Sequence, residues 1–318
     1  MTATKNIRIV FMGTPFFAVH MLKGLIKEGY NIVGVITAPD RPAGRGQKLK
    51  QSAVKYYAQE QGLHVLQPTN LKSTDFIAQL IALKCDLQVV VAFRMLPKVV
   101  WEIPTLGTFN LHASLLPQYR GAAPINWALI NGENETGVTT FYIDEKIDTG
   151  AIILQSKVPI LERDTAGILH EKLMEKGRNL ILKTINLIKN GSVKTSIQSD
   201  QKEHKTAYKL NKDNCKIDWS KSGEEIQNLV RGLNPYPGAW ALLINGSNKL
   251  NIKIFEVEYE KIQHANNIGT IITNKTSIKI CINNGYIYLN HFKFRGKKQM
   301  DAKSFLNGFT FEKNANML

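Results

Sequence analysis

Two residues at the end of one apolar run could act on the same atom. The stretch FNLHASLLPQYRGAAP (109–124) sets Asn110 and His112 two positions apart. Side chains at i and i+2 of a strand share a face, so Phe109 and Leu111 turn to the other face, towards core. An asparagine amide is a neutral donor for developing negative charge, and an imidazole can give or take a proton near neutral pH. Beyond the carboxyl ends of strands is where an open α/β sheet binds its ligands. A plainer reading also fits the pair alone: a satisfied core histidine beside a turn-forming asparagine. The flank favours chemistry. SLLPQYRGAAP carries two prolines and a glycine and cannot continue the strand. A stiff loop of this kind fixes backbone N–H and C=O groups, and Leu115 and Leu116 add apolar walls. That suits a flat heterocycle with amide-like edges.

A carboxylate would complete the set. In YIDEKIDTGAII (142–153), Asp148-Thr149-Gly150 forms a turn between apolar runs. An aspartate in a turn commonly bonds its own backbone. Beside His112 it would instead orient and charge the imidazole. Asp144, in the same segment, competes for that role.

Other motifs are weaker. VFMGTPFFAV lacks both G-x-G-x-x-G and the P-loop pattern, so Gly13-Thr14-Pro15 reads as a strand-to-helix turn. APDRPAGRGQKLKQSAVK (38–55) is a Gly/Pro-rich loop carrying Arg41, Arg45, Lys48 and Lys50. It is either a solvated mobile loop or an arm for phosphate groups, whose oxygens guanidinium forks bind. The three cysteines, Cys85, Cys215 and Cys281, are far apart. No CxxC or HxxxH spacing supports a disulfide framework or a metal site.

The elements that must carry these residues follow from hydrophobic rhythm. Over the first 190 residues short apolar strands alternate with helical patterns: strands near 7–13, 31–37, 64–68 and 87–93, then TFNLHA, TGVTTFYI and AIILQSKV. Helices are expected over 17–27, 52–61, 75–83 and 165–188, the last capped by Asp164. Near-continuous apolar strands separated by helices predict an α/β domain with a doubly wound, mostly parallel, Rossmann-like sheet. The polar run 191–205 reads as a linker. After it, short strands with Asn-Gly turns predict a small all-β, OB-like barrel over 206–318. No run is long enough to span a membrane, and the N-terminus has no signal-peptide layout. A cytoplasmic enzyme with reduced thiols is expected. The 318 residues carry a formal charge of +15. A chain rich in Lys, Asn and Ile throughout is one cause of that charge and a polyanionic partner another; the denser excess of Lys and Arg after residue 200 favours the partner.

Taken together, IRIVFMGTP, NLHASLLP, IDTG, the basic loop and IDWSKSGEEIQNLVRGLNPYPGAW resemble the folate-dependent formyltransferase family, in the branch that acts on methionyl-tRNA. The resemblance covers nearly the whole chain. It implies formyl transfer from 10-formyltetrahydrofolate to the α-amine of methionyl-initiator tRNA, without a metal. Nothing in the sequence suggests an obligate interface, so a monomer is expected. The resemblance implies Asn110, His112 and Asp148 as the catalytic trio. Ser114, Leu115, Leu116 and Pro117 match the folate-binding segment. Arg41, Arg45, Lys48 and Lys50 fall in the part that meets the tRNA acceptor end. Phe16 and Arg94 depart from the family pattern, the first replacing an acidic residue and the second a glycine. NLHASLLP and IDTG are shared by formyltransferases with other acceptors, so an amino-sugar nucleotide is the alternative acceptor. A non-catalytic RNA-binding module built on the barrel is a third reading, and it leaves the trio idle.

Overall fold

The structure is a computed structural model, and it describes residues 7–43, 48–199 and 204–318. It divides into two compact units. The first comprises 1–121, 136–158 and 170–206; the second comprises 122–135, 159–169 and 207–318. The second therefore takes two short segments from within the first 190 residues.

In the first unit a seven-stranded sheet runs in the order Ile152–Pro159, Glu135–Tyr142, Thr108–His112, Leu87–Val91, Arg8–Gly13, Asn31–Ile36, Val65–Leu66. The last five are mutually parallel, and Glu135–Tyr142 runs antiparallel to Thr108–His112. This is the mostly parallel, Rossmann-like α/β sheet the alternation predicts. Every residue of Leu87–Val91 is buried, as expected for a strand covered on both faces. Val10, Met12 and Val90 pack on one face with Phe76 and Leu80 of the Thr74–Ala82 helix. Ile9, Phe11, Val89 and Val91 alternate with them and are also buried.

Three local readings change. The long helix spans Ala166–Lys189, and its cap is Thr165, whose hydroxyl accepts from the Ile168 N–H. Asp164 instead folds back, its carboxylate accepting from the Leu161 N–H. The basic loop is partly regular: Arg41–Ala43 and Lys48–Lys50 form an antiparallel hairpin with Arg41 opposite Lys50. In the polar segment after Gly191, Ser196 forms a bridge to Ile152 at the sheet edge and Gln198 is buried.

The second unit is a nearly closed antiparallel sheet in the order Ile271–Thr273, Ile278–Ile282, Gly285–Phe294, Asn248–Lys261, Ala239–Asn245, Asn316–Met317. A Thr270–Asn316 bridge links its two ends, which gives it a barrel-like form. The Gly223–Leu233 helix packs on it through Ile226, Val230 and Leu233. Ser222 and Glu225 form a capping box at its start, which satisfies two otherwise orphaned N–H groups. Gly232 lies so close to Ile130 and the Asn126 carbonyl that a Cβ there would clash. This close approach anchors the Pro124–Ile130 helix in the second unit.

Candidate active site

The Thr108–His112 strand ends at the carboxyl edge of the parallel sheet. Phe109 and Leu111 are buried on one face. Asn110 and His112 share the other. His112 is 6% exposed. Its Nε2 lies 2.8 Å from the Tyr119 carbonyl oxygen and donates to it, which leaves Nδ1 as the second functional nitrogen. Nδ1 is 3.7 Å from Asp148 Oδ2. The Asp148 carboxylate is itself held by the Gly121 N–H at 2.9 Å.

Asp148 and Asp144 are thereby separated by role. Asp144 accepts the Thr149 hydroxyl at 2.7 Å and the Lys146 N–H at 3.0 Å, so it closes its own turn. Only Asp148 reaches the imidazole. It does so from a left-handed backbone conformation, φ +56°. The following Gly150 is required by space, because a Cβ there would sit 1.6 Å from the Tyr142 carbonyl oxygen. The local chain can make this turn only with glycine at 150.

Asn110 has one amide end without a partner: its Oδ1 is buried and unbonded. Buried polar atoms are nearly always satisfied, so an orphaned amide at the edge of a site marks where a polar ligand atom completes the set. Amide oxygen and nitrogen exchange by a simple flip. The free end can therefore present N–H to a ligand oxygen.

The segment after His112 is a rigid scaffold. Ser114 is fully buried and donates its hydroxyl to the Gln118 carbonyl at 2.6 Å. Leu116 is 3% exposed, and its N–H donates to Thr139 Oγ1 at 3.1 Å. Thr139 donates in turn to the Ser114 carbonyl at 2.6 Å, and Gln155 donates to the Leu116 carbonyl at 2.8 Å. Leu115 packs against Gly137, where any larger residue would displace it. Pro117 is half-buried. Thr139 and Gln155 were not anticipated from sequence. A polar threonine inside the buried strand Glu135–Tyr142 is the one available signal for the first.

Among the basic residues, Arg41 and Lys50 are exposed and directly opposed on the hairpin. Lys48 lies in the same hairpin opposite Ala43. Arg45 lies outside the described residues. Like charges facing each other on adjacent strands repel, so the pair is suited to an anion that bridges it. Arg94 follows the Leu87–Val91 strand and donates to the carbonyls of Thr69 and Pro68. Burial, with the nearby Arg41 charge, depresses the Arg94 guanidinium pKa below its usual range. Phe16, the other departure, is an exposed side chain at the start of the Phe16–Lys27 helix. Among the described residues no group of His, Cys, Asp or Glu could hold a metal ion. No helix among them is long and apolar enough to cross a membrane.

Residues 5–185 match the formyl transferase family, and residues 209–310 match the formyl transferase C-terminal domain. The chain belongs to the formyl transferase family. It is 58% identical to the methionyl-tRNA formyltransferase of Flavobacterium johnsoniae, covering 98% of this chain and 99% of that protein. It is 49% identical to the methionyl-tRNA formyltransferase of Bacteroides thetaiotaomicron, covering 96% of each. A solved structure of the sugar 3N-formyl transferase WlaRD shares the fold with a TM-score of 0.64 and 24% identity. That alignment covers 92% of this chain and 99% of that one. Asn110, His112 and Asp148 all lie within the stretch that matches the formyl transferase family.

Proposed function

We propose that the protein transfers the formyl group of 10-formyltetrahydrofolate to the α-amine of methionyl-initiator tRNA, giving N-formylmethionyl-tRNA for translation initiation. It acts as a monomer in the cytoplasm and uses no metal. Full-length similarity to methionyl-tRNA formyltransferases supports the acceptor. The observation that carries the chemistry is the convergence of an unsatisfied Asn110 amide with His112 and Asp148 at the end of one strand. In this reading catalysis falls to the sheet unit, and the barrel and the strands Arg41–Ala43 and Lys48–Lys50 meet the tRNA.

The folate supplies a formyl group ready for transfer to an amine. The protein's own residues do the rest. The methionyl α-amine must be neutral to attack, which is accessible near neutral pH because α-amines titrate near ~8. As the formyl oxygen becomes negative, the free end of the Asn110 amide donates to it. His112 is held by its Nε2–H on the Tyr119 carbonyl, so its Nδ1 takes the proton shed by the amine and passes it to the folate nitrogen. Asp148 lies beyond hydrogen-bond distance of Nδ1 but close enough to offset the positive charge the ring carries in transit. Ser114, Leu115, Leu116 and Pro117 form the folate-side wall. The pinned carbonyls and N–H groups around Thr139 keep that wall in place before the ligand arrives.

The assignment is tested by Asn110→Ala. Its kcat should fall by about 10²–10³, the usual loss for an oxyanion donor, with folate binding retained. Normal turnover by a folded variant would remove Asn110 from the chemistry.

A further inference from the structure

The polar segment after the long helix contributes a side chain to the catalytic geometry. Gln198 is 6% exposed, and all of its polar atoms are spoken for. Its Nε2 donates to two main-chain carbonyls, Asp148 at 2.9 Å and Gly150 at 2.8 Å. Its Oε1 accepts both Nε and Nη2 of Arg120, at 3.0 and 2.7 Å. Arg120 sits between Tyr119 and Gly121. Tyr119 supplies the carbonyl that holds His112, and Gly121 supplies the N–H that holds the Asp148 carboxylate. One amide therefore joins the two backbone segments that set the His112–Asp148 pair.

Asp148 needs such support. It stands at φ +56°, a conformation that costs a non-glycine residue free energy and persists only where neighbours enforce it. The Ser196–Ile152 backbone pair, with N–H to carbonyl distances of 2.8 and 2.9 Å, fixes the chain two residues before Gln198. Its side chain is thus presented from an anchored strand edge.

We infer that Gln198, with Arg120, is a positioning residue for the His112–Asp148 pair. It touches no reacting atom. It holds the 148–150 turn against the 119–121 segment, so that the carboxylate faces the imidazole in the free enzyme. This inference rests on the proposed roles of His112 and Asp148.

Gln198→Leu keeps the volume and removes all four hydrogen bonds. We expect kcat to fall at least tenfold, with KM for 10-formyltetrahydrofolate and for methionyl-tRNA within twofold of wild type. In an Asp148→Asn background the same substitution should cost less than twofold, because residues acting through one contact are non-additive. The His112 imidazole resonances of the full chain, followed by NMR without substrate, should move in the same direction in Gln198→Leu as in Asp148→Asn. If Gln198→Leu does not fold, Arg120→Leu, cut from the more exposed side of the clamp, is measured in the same way and should show the same pattern. A folded variant with wild-type kcat and unmoved His112 resonances overturns the inference. So does a loss that multiplies in full with Asp148→Asn. A wild-type chain that transfers no formyl group, while His112 still responds to Gln198→Leu, would sink the proposed function and leave the clamp standing.

Discussion

At the scale of single residues, the site turns on which carboxylate meets which nitrogen. Asp144 and Asp148 lie four positions apart in one turn-forming segment, and nothing in their types distinguishes them. The structure does, because Asp144 is consumed by Thr149 and Lys146 while Asp148 faces His112. Asp148→Asn should therefore lower kcat by about 10²-fold or more, in line with the loss of a charge that orients and balances a catalytic histidine. Asp144→Asn should leave kcat within about threefold, since it weakens a local turn bond of modest net value. Steady-state kinetics on the two purified variants checks this, and equal losses would mean that turn geometry, not charge, is what matters. The pairing of Asn110 with His112 was legible because strand periodicity alone puts them on one face. Gln198 was not, since its partners lie 48 to 78 positions away along the chain and its own neighbourhood is mostly polar. A buried glutamine in such a run leaves no periodic trace.

At the scale of elements, the loop behind the strand is held by a few hydroxyl and amide contacts. Thr139 is fully buried and serves both the Leu116 N–H and the Ser114 carbonyl. Thr139→Val conserves shape but strands both groups without partners. Each buried unsatisfied group costs about 1–3 kcal/mol, so the sheet unit should lose about 2–6 kcal/mol in denaturant unfolding. KM for folate should rise more than KM for tRNA, and an unchanged midpoint with unchanged KM values would show the loop to be held by other means. In the sheet unit most elements were readable from their apolar runs, and the strands expected there fall within a residue or two of expectation. The exceptions have separate causes. The helix cap moved from Asp164 to Thr165 because both are good caps and only the backbone path decides between them. The Arg41–Ala43 and Lys48–Lys50 strands were hidden because three-residue strands built on Pro and cations carry no apolar alternation. The second unit's claim on 122–135 depends on the Gly232 contact with Ile130, which joins residues about a hundred positions apart.

At the scale of the whole molecule, a net charge of +15 must find its counterpart. Arg41 opposite Lys50 is a repulsive arrangement in the free protein, and under the proposed function a bound polyanion would relieve it. The double variant Arg41→Ala/Lys50→Ala should raise KM for tRNA and leave KM for folate within about twofold. It should also flatten the dependence of log affinity on log salt by about 1–2, since each lost phosphate contact removes about 0.7–0.9 from the slope. Loss of both affinities together would indicate a misfolded sheet unit instead. The acceptor is also a property of the whole chain, because formyl chemistry at Asn110 and His112 would serve an amine on a tRNA or on a nucleotide sugar equally well. The decisive measurement is a competition in which limiting labelled 10-formyltetrahydrofolate is offered charged initiator methionyl-tRNA and an amino-sugar nucleotide at equal concentration. Label recovered as formyl-methionine on tRNA is the expected result. Label on the sugar, or label on neither acceptor from a folded protein, would contradict the account.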